Sequence, residues 1–368
     1  MKKITLVLLT IVFLANTITA SSSDHITGVQ QSLFTDFHSQ EMVKLTITTD
    51  IDQLLENRKT ADYQNATIVW KSSNGNEVKL DADIRARGKY RNRVCDFPPI
   101  KLKFSKKELS SLGYSSFNKM KLVTHCLDEG EEGNQNVIKE FLAYQLYNQI
   151  TDQSFRVQLV EVEYIDAANP GTSDIRYGMI IEHKKEMAAR LNATIKNDLY
   201  NPNIAQIDAA AENKMALFNY LIGNEDYSIS SYKNVEWVKS RATGKLIPIP
   251  YDFDFSGFVN PSYAKVTSQY GHTSNLDRAY LGLPATDNLL KKNINIFLAK
   301  KKTLVQLIRK NRHLNLEQRL SSIAYVRSFY SKINDLQHSS EKSLYQALKN
   351  MPNEQELEEG FYGHPLGE

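Results

Sequence analysis

The spacing of hydrophobic and polar positions changes period once along this chain. Over 42–49 the two kinds alternate, as a half-buried strand requires, and 51–57 reads as a short helix or turn. Strand patterns recur over 65–71, 77–87, 100–104 and 119–124, separated by turn chemistry such as Ser73-Asn74-Gly75-Asn76. A helical period then predicts a helix over 134–149, with Val137, Phe141, Tyr144 and Leu146 on its core side. Two further strands, 156–164 and 177–182, are joined through a Pro170-Gly171 turn. Beyond about residue 184 the helical period dominates, over 205–222, 286–311, 315–335 and 339–350, and strands shrink to 234–238 and 245–249. The pattern predicts an α+β chain in two lobes. A β-rich N-lobe, an antiparallel sheet with one helix, spans 41–184, and a mainly helical C-lobe spans 185–351. Residues 21–40 read as a flexible lead-in and 352–368 as a mobile acidic tail.

The first twenty residues follow a different logic. Lys2 and Lys3 precede an apolar run over 4–15, and Ala20 leads into Ser21-Ser22-Ser23. This is the order of a cleavable secretory signal peptide, 1–20, with the working chain starting near Ser21. The competing reading, a membrane anchor, asks for roughly 20 apolar residues, and Asn16 and Thr17 end this run early. No Cys stands at the cleavage site to take a lipid, and no second long apolar stretch follows. The mature protein is therefore expected to be exported, periplasmic or secreted, without a transmembrane segment.

Composition changes this picture little. The chain is 41% hydrophobic and 24% charged, as an ordinary globular protein is, and its net charge of +3 gives no footprint for nucleic acid. Lys291, Lys292, Lys300, Lys301, Lys302, Arg309, Lys310 and Arg312 cluster, interleaved with Ile294, Phe297, Leu304, Leu307 and Ile308, which reads as the solvated face of an amphipathic helix. The cysteines matter more. Cys95 and Cys126 are the only two, and in an oxidising compartment they are expected to pair. Such a bridge adds about 3–4 kcal/mol in the chain-entropy account. Two buried thiols are the alternative; a zinc site beside His125 lacks the other ligands.

Two acidic motifs carry the candidate chemistry. Gly223-Asn224-Glu225-Asp226-Tyr227 follows a helix and precedes Tyr232-Lys233-Asn234; Tyr251-Asp252-Phe253-Asp254-Phe255-Ser256-Gly257 follows a strand. Carboxylates clustered among apolar residues repel unless a cation lies between them. Mg²⁺ or Mn²⁺, which prefer oxygen ligands, suit such a cluster, against the plainer reading of turn-capping Asp residues.

Read in order, several segments bear a resemblance. Arg85-Ala86-Arg87-Gly88 leads to Phe97-Pro98-Pro99-Ile100-Lys101-Leu102-Lys103-Phe104, then to Met120-Lys121-Leu122-Val123-Thr124-His125-Cys126 and Lys139-Glu140-Phe141-Leu142-Ala143-Tyr144. Tyr177-Gly178, Glu182, the 224–234 motif and Tyr251-Asp252-Phe253-Asp254 complete the series. Together they resemble the spore coat protein H (CotH) kinase-like family over roughly 40–335. The resemblance implies an atypical protein-kinase fold and an exported enzyme moving the γ-phosphate of ATP to Ser or Thr of a secreted or surface protein. It implies Asp226 as the residue that positions the acceptor hydroxyl, and Asn234, Asp252 and Asp254 as metal ligands. Arg85, Arg87, Lys101, Lys103, Glu140 and Glu182 are implied around the nucleotide, with Lys101 or Lys103 pairing with Glu140. Three features depart from conventional kinases: no G-x-G-x-x-G loop, Asn224-Glu225 ahead of Asp226, and Asn234 eight residues beyond it. A non-catalytic pseudokinase-like envelope protein and an adenylyltransferase using the same cleft are the other readings.

Overall fold

The computed structural model describes residues 31–60, 62–266, 270–338 and 343–350. The signal-peptide and tail readings and the first half of the lead-in lie outside these residues; the second half is not flexible but forms a short helix, Leu33–His38, whose Leu33, Phe34 and Phe37 are buried in the barrel core.

Seven strands close into one barrel. They are β1 (Val43–Thr49), β2 (Gln64–Lys71), β3 (Glu77–Ala86), β4 (Ile100–Phe104), β5 (Lys119–Val123), β6 (Val157–Asp166) and β7 (Ser173–Ile181). Their order around the barrel is β1-β2-β3-β4-β5-β7-β6. Every pair is antiparallel except the closing one, in which β1 runs parallel to β6 from Val43↔Val160 to Thr49↔Asp166. Alternation explains the interior. Leu45 and Ile47, Ile68 and Trp70, Ile84, Leu102 and Phe104, Leu122, and Val160 and Val162 point inward and are buried together. Gly178 in β7 is required by close approach, since a Cβ there would stand 2.9 Å from Leu122 Cδ1 and 3.1 Å from Val160 Cγ2.

Short helices decorate the barrel: α1 (Leu33–His38), α2 (Ile51–Glu56), α3 (Arg91–Val94) and α4 (Lys106–Ser111). The long α5 (Glu132–Ile150) lies between β5 and β6 in sequence and is buried on nearly every side. Its Ile138, Leu142 and Leu146 share a core with Leu159, Met179 and Ile181 of the barrel's outer face and with residues of the second half.

The second half begins with α6 (Lys184–Arg190) and β8 (Ala193–Lys196), then α7 (Ala209–Ile222), β9 (Val235–Ser240) and β10 (Leu246–Pro250). The three strands form a separate antiparallel sheet in the order β10-β9-β8. Pro248 and Pro250 fit β10 because it is an edge strand and owes no full ladder of N–H groups. The helices α8 (Asp287–Lys310), α9 (Leu316–His338) and α10 (Leu344–Lys349) complete the described residues, and no helix among them is long and apolar enough to cross a membrane.

This corrects the expected kinase-like fold. The chain does not form an open antiparallel sheet lobe beside a helical lobe. Pairing of β1 with β6 closes the sheet into a mixed barrel, and a three-stranded sheet stands within the half expected to be helical. The strands and helices that were expected match their positions within about five residues; α1, α3, α4, α6 and β8 were not expected, and the partner of β1 lies far along the chain.

Candidate active site

Three carboxylates converge where α5, α3 and the segment after β10 meet. One oxygen from each of Glu140, Asp252 and Asp254 lies within 4.8 Å of the others. The geometry follows from local rules. β10 ends at Pro250, and Asp252 takes a left-handed φ of +66°, with its N–H donated to Tyr144 Oη at 2.8 Å. That turn sends Phe253 into the core, 0% exposed, so the flanking acids point the other way. Asp254 is buried and Asp252 half exposed. Left-handed non-glycine residues are held only where their surroundings demand it, and they concentrate at functional sites. Asn234, at φ +52°, is a second one here.

A guanidinium holds the cluster together. Arg91 of α3 donates from Nη2 to Glu140 Oε2 and from Nε to Asp254 Oδ2, both at 2.7 Å, while Asp252 Oδ1 stands 4.0 Å from Nη2. Glu140 Oε1 and Asp254 Oδ1 are buried with no hydrogen-bond partner. Burial pushes the Asp254 carboxyl up to about 7, with Arg91 opposing, and raises Glu140 for the same reason. Burial opposes the charge on Arg91, but Asp254 and Glu140 outweigh it and hold its pKa well above the ordinary value. Arg91 is the cation bonded to these acids, Arg87 acts on Asp252 and Glu140 from further away, and the two orphaned oxygens are donors suited to a hard cation.

Cations line the opposite wall. On the barrel's outer face Arg85, Lys101 and Lys121 stand in cross-strand register on β3, β4 and β5. Arg87 continues from the end of β3. Burial lowers the pKa of Arg87 and of Lys101, and it brings Lys121 down to about 8 with help from Arg87. Among the described residues Arg87, Lys101 and Lys121 make no ion pair; Lys121 Nζ lies 5.4 Å from the Tyr251 ring centroid. Asp252 and Glu236 both act on Lys121, which ties the cationic row to the carboxylates.

The 224–234 loop adjoins this site through Asn234. Helix α7 starts on an Asp208 cap and stops at Gly223, whose φ of +60° and contact with the Tyr325 hydroxyl leave no room for a Cβ. Asp226 follows, gripped by Lys233 Nζ on one oxygen and by Asn234 Nδ2 at 2.8 Å on the other. The Asn234 carbonyl accepts the N–H of Tyr251 at 3.1 Å, next to Asp252. The two acidic motifs are therefore linked by one residue.

The structure brings Asp226, Asn234, Asp252, Asp254 and Glu140 into one region, with Arg87 acting on Asp252 and Glu140 and Lys101 further along the cationic row beside Arg85 and Arg87. Glu140 pairs with Arg91 of α3 rather than with Lys101 or Lys103. Lys103 pairs with Asp83 at 2.7 Å, and Arg85 stacks 5.1 Å from the Tyr63 ring centroid. Asn234 spends its amide nitrogen on Asp226. Glu182 is spent on Arg190, which donates from Nε at 3.0 Å and Nη2 at 2.8 Å, and on the Arg156 N–H at 3.0 Å. Cys95 and Cys126 form a disulfide, S–S 2.08 Å. Arg91 and Lys121 were not anticipated. For Lys121 a signal existed, its cross-strand match to Lys101; a four-residue helix leaves no periodic trace for Arg91.

No family model and no curated protein matches this chain. What its fold and site define is a barrel joined to helices, with a carboxylate cluster whose Asp252 acts on Arg87 and Lys121 of the barrel's outer face.

Proposed function

We propose that this cleft carries out metal-dependent phosphoryl transfer from ATP to a Ser or Thr hydroxyl of another exported or surface protein. The observation that carries the reading is the meeting of three carboxylates, two with orphaned oxygens, beside Arg87, Lys101 and Lys121, which make no ion pair among the described residues. Phosphoryl transfer needs little covalent help; it needs in-line positioning and positive charge around the phosphates. Glu140, Asp252 and Asp254 would hold Mg²⁺ or Mn²⁺, which spreads the phosphate charge when bound. Arg87, Lys101 and Lys121 would take phosphate oxygens, with Arg85 at the far end of the row. Asp226 would orient the acceptor hydroxyl and take its proton as the oxygen attacks. Its grip by Asn234 on one oxygen and Lys233 on the other fixes the carboxylate's direction.

One observation favours a second reading. Arg91 and Lys233 already neutralise part of both acidic motifs from within the chain, as suits a cleft that binds a ligand without turning it over.

Purified protein incubated with γ-labelled or α-labelled ATP and Mn²⁺ separates these readings. Label from γ alone, reduced about 100-fold or more in Asp226→Asn and lost in Asp252→Asn, supports kinase activity. Label from α means adenylyl transfer instead. Nucleotide binding without label supports the binding role, and no binding at all overturns every nucleotide reading.

A further inference from the structure

The α3 segment bears a charge its own packing does not explain. It has four residues; its last, Val94, is 39% exposed and its flanking Tyr90 36%, while Arg91 is buried. No apolar side chain of α3 anchors it in a core. Apart from an edge-on contact of Tyr90 with Phe255, its attachments are polar or covalent. Arg91 grips Glu140 and Asp254, Asn92 Nδ2 donates to the Arg58 carbonyl, and Arg58 Nη1 donates to the Cys95 carbonyl at 3.1 Å. Cys95, the residue that ends α3, is bonded to Cys126 just past β5. An ion grip alone is a weak tether for a short helix, because a buried charge pair recovers little beyond the cost of taking both ions out of water.

We infer that Arg91 is a positioning residue for a divalent cation at Glu140, Asp252 and Asp254, and that the Cys95–Cys126 bridge keeps it in place. The guanidinium engages one oxygen of Glu140 and one of Asp254 through a rigid fork, which turns the other oxygen of each away from itself. It fixes both carboxylates in orientation and offsets their mutual repulsion, so that the orphaned oxygens present a preformed set of ligands. Groups that orient metal ligands from behind typically affect affinity by roughly 10–100-fold. Arg91 would do so here, and the bridge would act through it. A lysine cannot replace it, because an ammonium lacks the planar fork.

The inference rests on the metal reading above and is tested so that the two can fail separately. Mn²⁺ affinity is measured by titration calorimetry on the wild type, on Arg91→Lys and on the Cys95→Ser/Cys126→Ser double variant. Amide hydrogen exchange is followed over 90–96 and over β3–β5. The expected result is Mn²⁺ binding by the wild type, about 10-fold or more weaker binding in both variants, and faster exchange over 90–96 in the bridge-free protein while β3–β5 stay protected. In an Arg91→Lys background, removing the bridge weakens Mn²⁺ binding little further. A purely structural role would lower the melting temperature of Arg91→Lys and leave its Mn²⁺ affinity unchanged, which overturns the inference alone. So would a bridge-free protein with wild-type affinity, or tighter binding in Arg91→Lys, which would make the guanidinium a competitor. Absence of Mn²⁺ binding by the folded wild type overturns the metal reading and this inference with it.

Discussion

Asp226 and Asp254 are both gripped by a cation from their own chain, yet in opposite surroundings. Asp226 has a 31% exposed side chain, and its partner Lys233 is 56% exposed. The side chains of Asp254 and Glu140 are 2% exposed, and that of Arg91 is 9%. An exposed pair is worth little and is easily broken, because water and salt compete for both charges. A buried pair contributes little net stability, but losing one partner strands the other in a medium that cannot solvate it. The contrast gives the two acids different work on the proposed reading. The exposed one would release its grip for an incoming hydroxyl, and the buried one would be held in a fixed orientation for a metal ion.

The largest effect that would sharpen this contrast is on stability at Arg91. Arg91→Ala is expected to lower unfolding free energy by about 3–5 kcal/mol in urea denaturation, since two buried carboxylates lose their counter-charge. A loss below about 1 kcal/mol would break the comparison. Next comes a buried acid with no cation beside it. Glu212 of α7 accepts the Leu283 N–H at 3.0 Å, and burial pushes its carboxyl up to about 7. Its folded pKa lies above its unfolded one, so its contribution is full below about pH 4.5 and is lost as pH rises through about 7. The loss amounts to about 3 kcal/mol, and Glu212→Gln should abolish that slope and be the more stable protein at pH 8, as read from denaturation midpoints. The smallest effect belongs to the exposed pair: Lys233→Ala should change stability by less than about 1 kcal/mol. A larger loss there would mean that the exposed grip is structural.

Much of the local structure was legible because it depends on near neighbours. Alternation located β1 through β5, the helical period located α5, α8 and α9, and a count of two cysteines in a chain expected to be exported was enough to expect the bridge. The closure of the barrel was not legible, because nothing in the alternation of β1 specifies that its second neighbour is β6. The candidate site was legible in its acids, since Asp252-Phe253-Asp254 at a strand end is a local pattern. The partner of Glu140 was not. A lysine on β4 and an arginine on α3 are equally reasonable in sequence, and only the tertiary contact of α3 with α5 through Arg91 and Glu140 decides between them.

The parallel closure has a consequence for how the chain reaches its structure. Until Val160 has been made, β1 can be hydrogen-bonded along β2 alone, and its other edge has no neighbour. The barrel therefore cannot be completed strand by strand from its N-terminal end. Its first and penultimate strands must find each other across the whole intervening sheet and α5, a non-local search of the kind that makes folding slow. During that interval β1 presents an open edge on which a second chain can add as a strand. The strand that begins the barrel is also the one that stays incomplete longest.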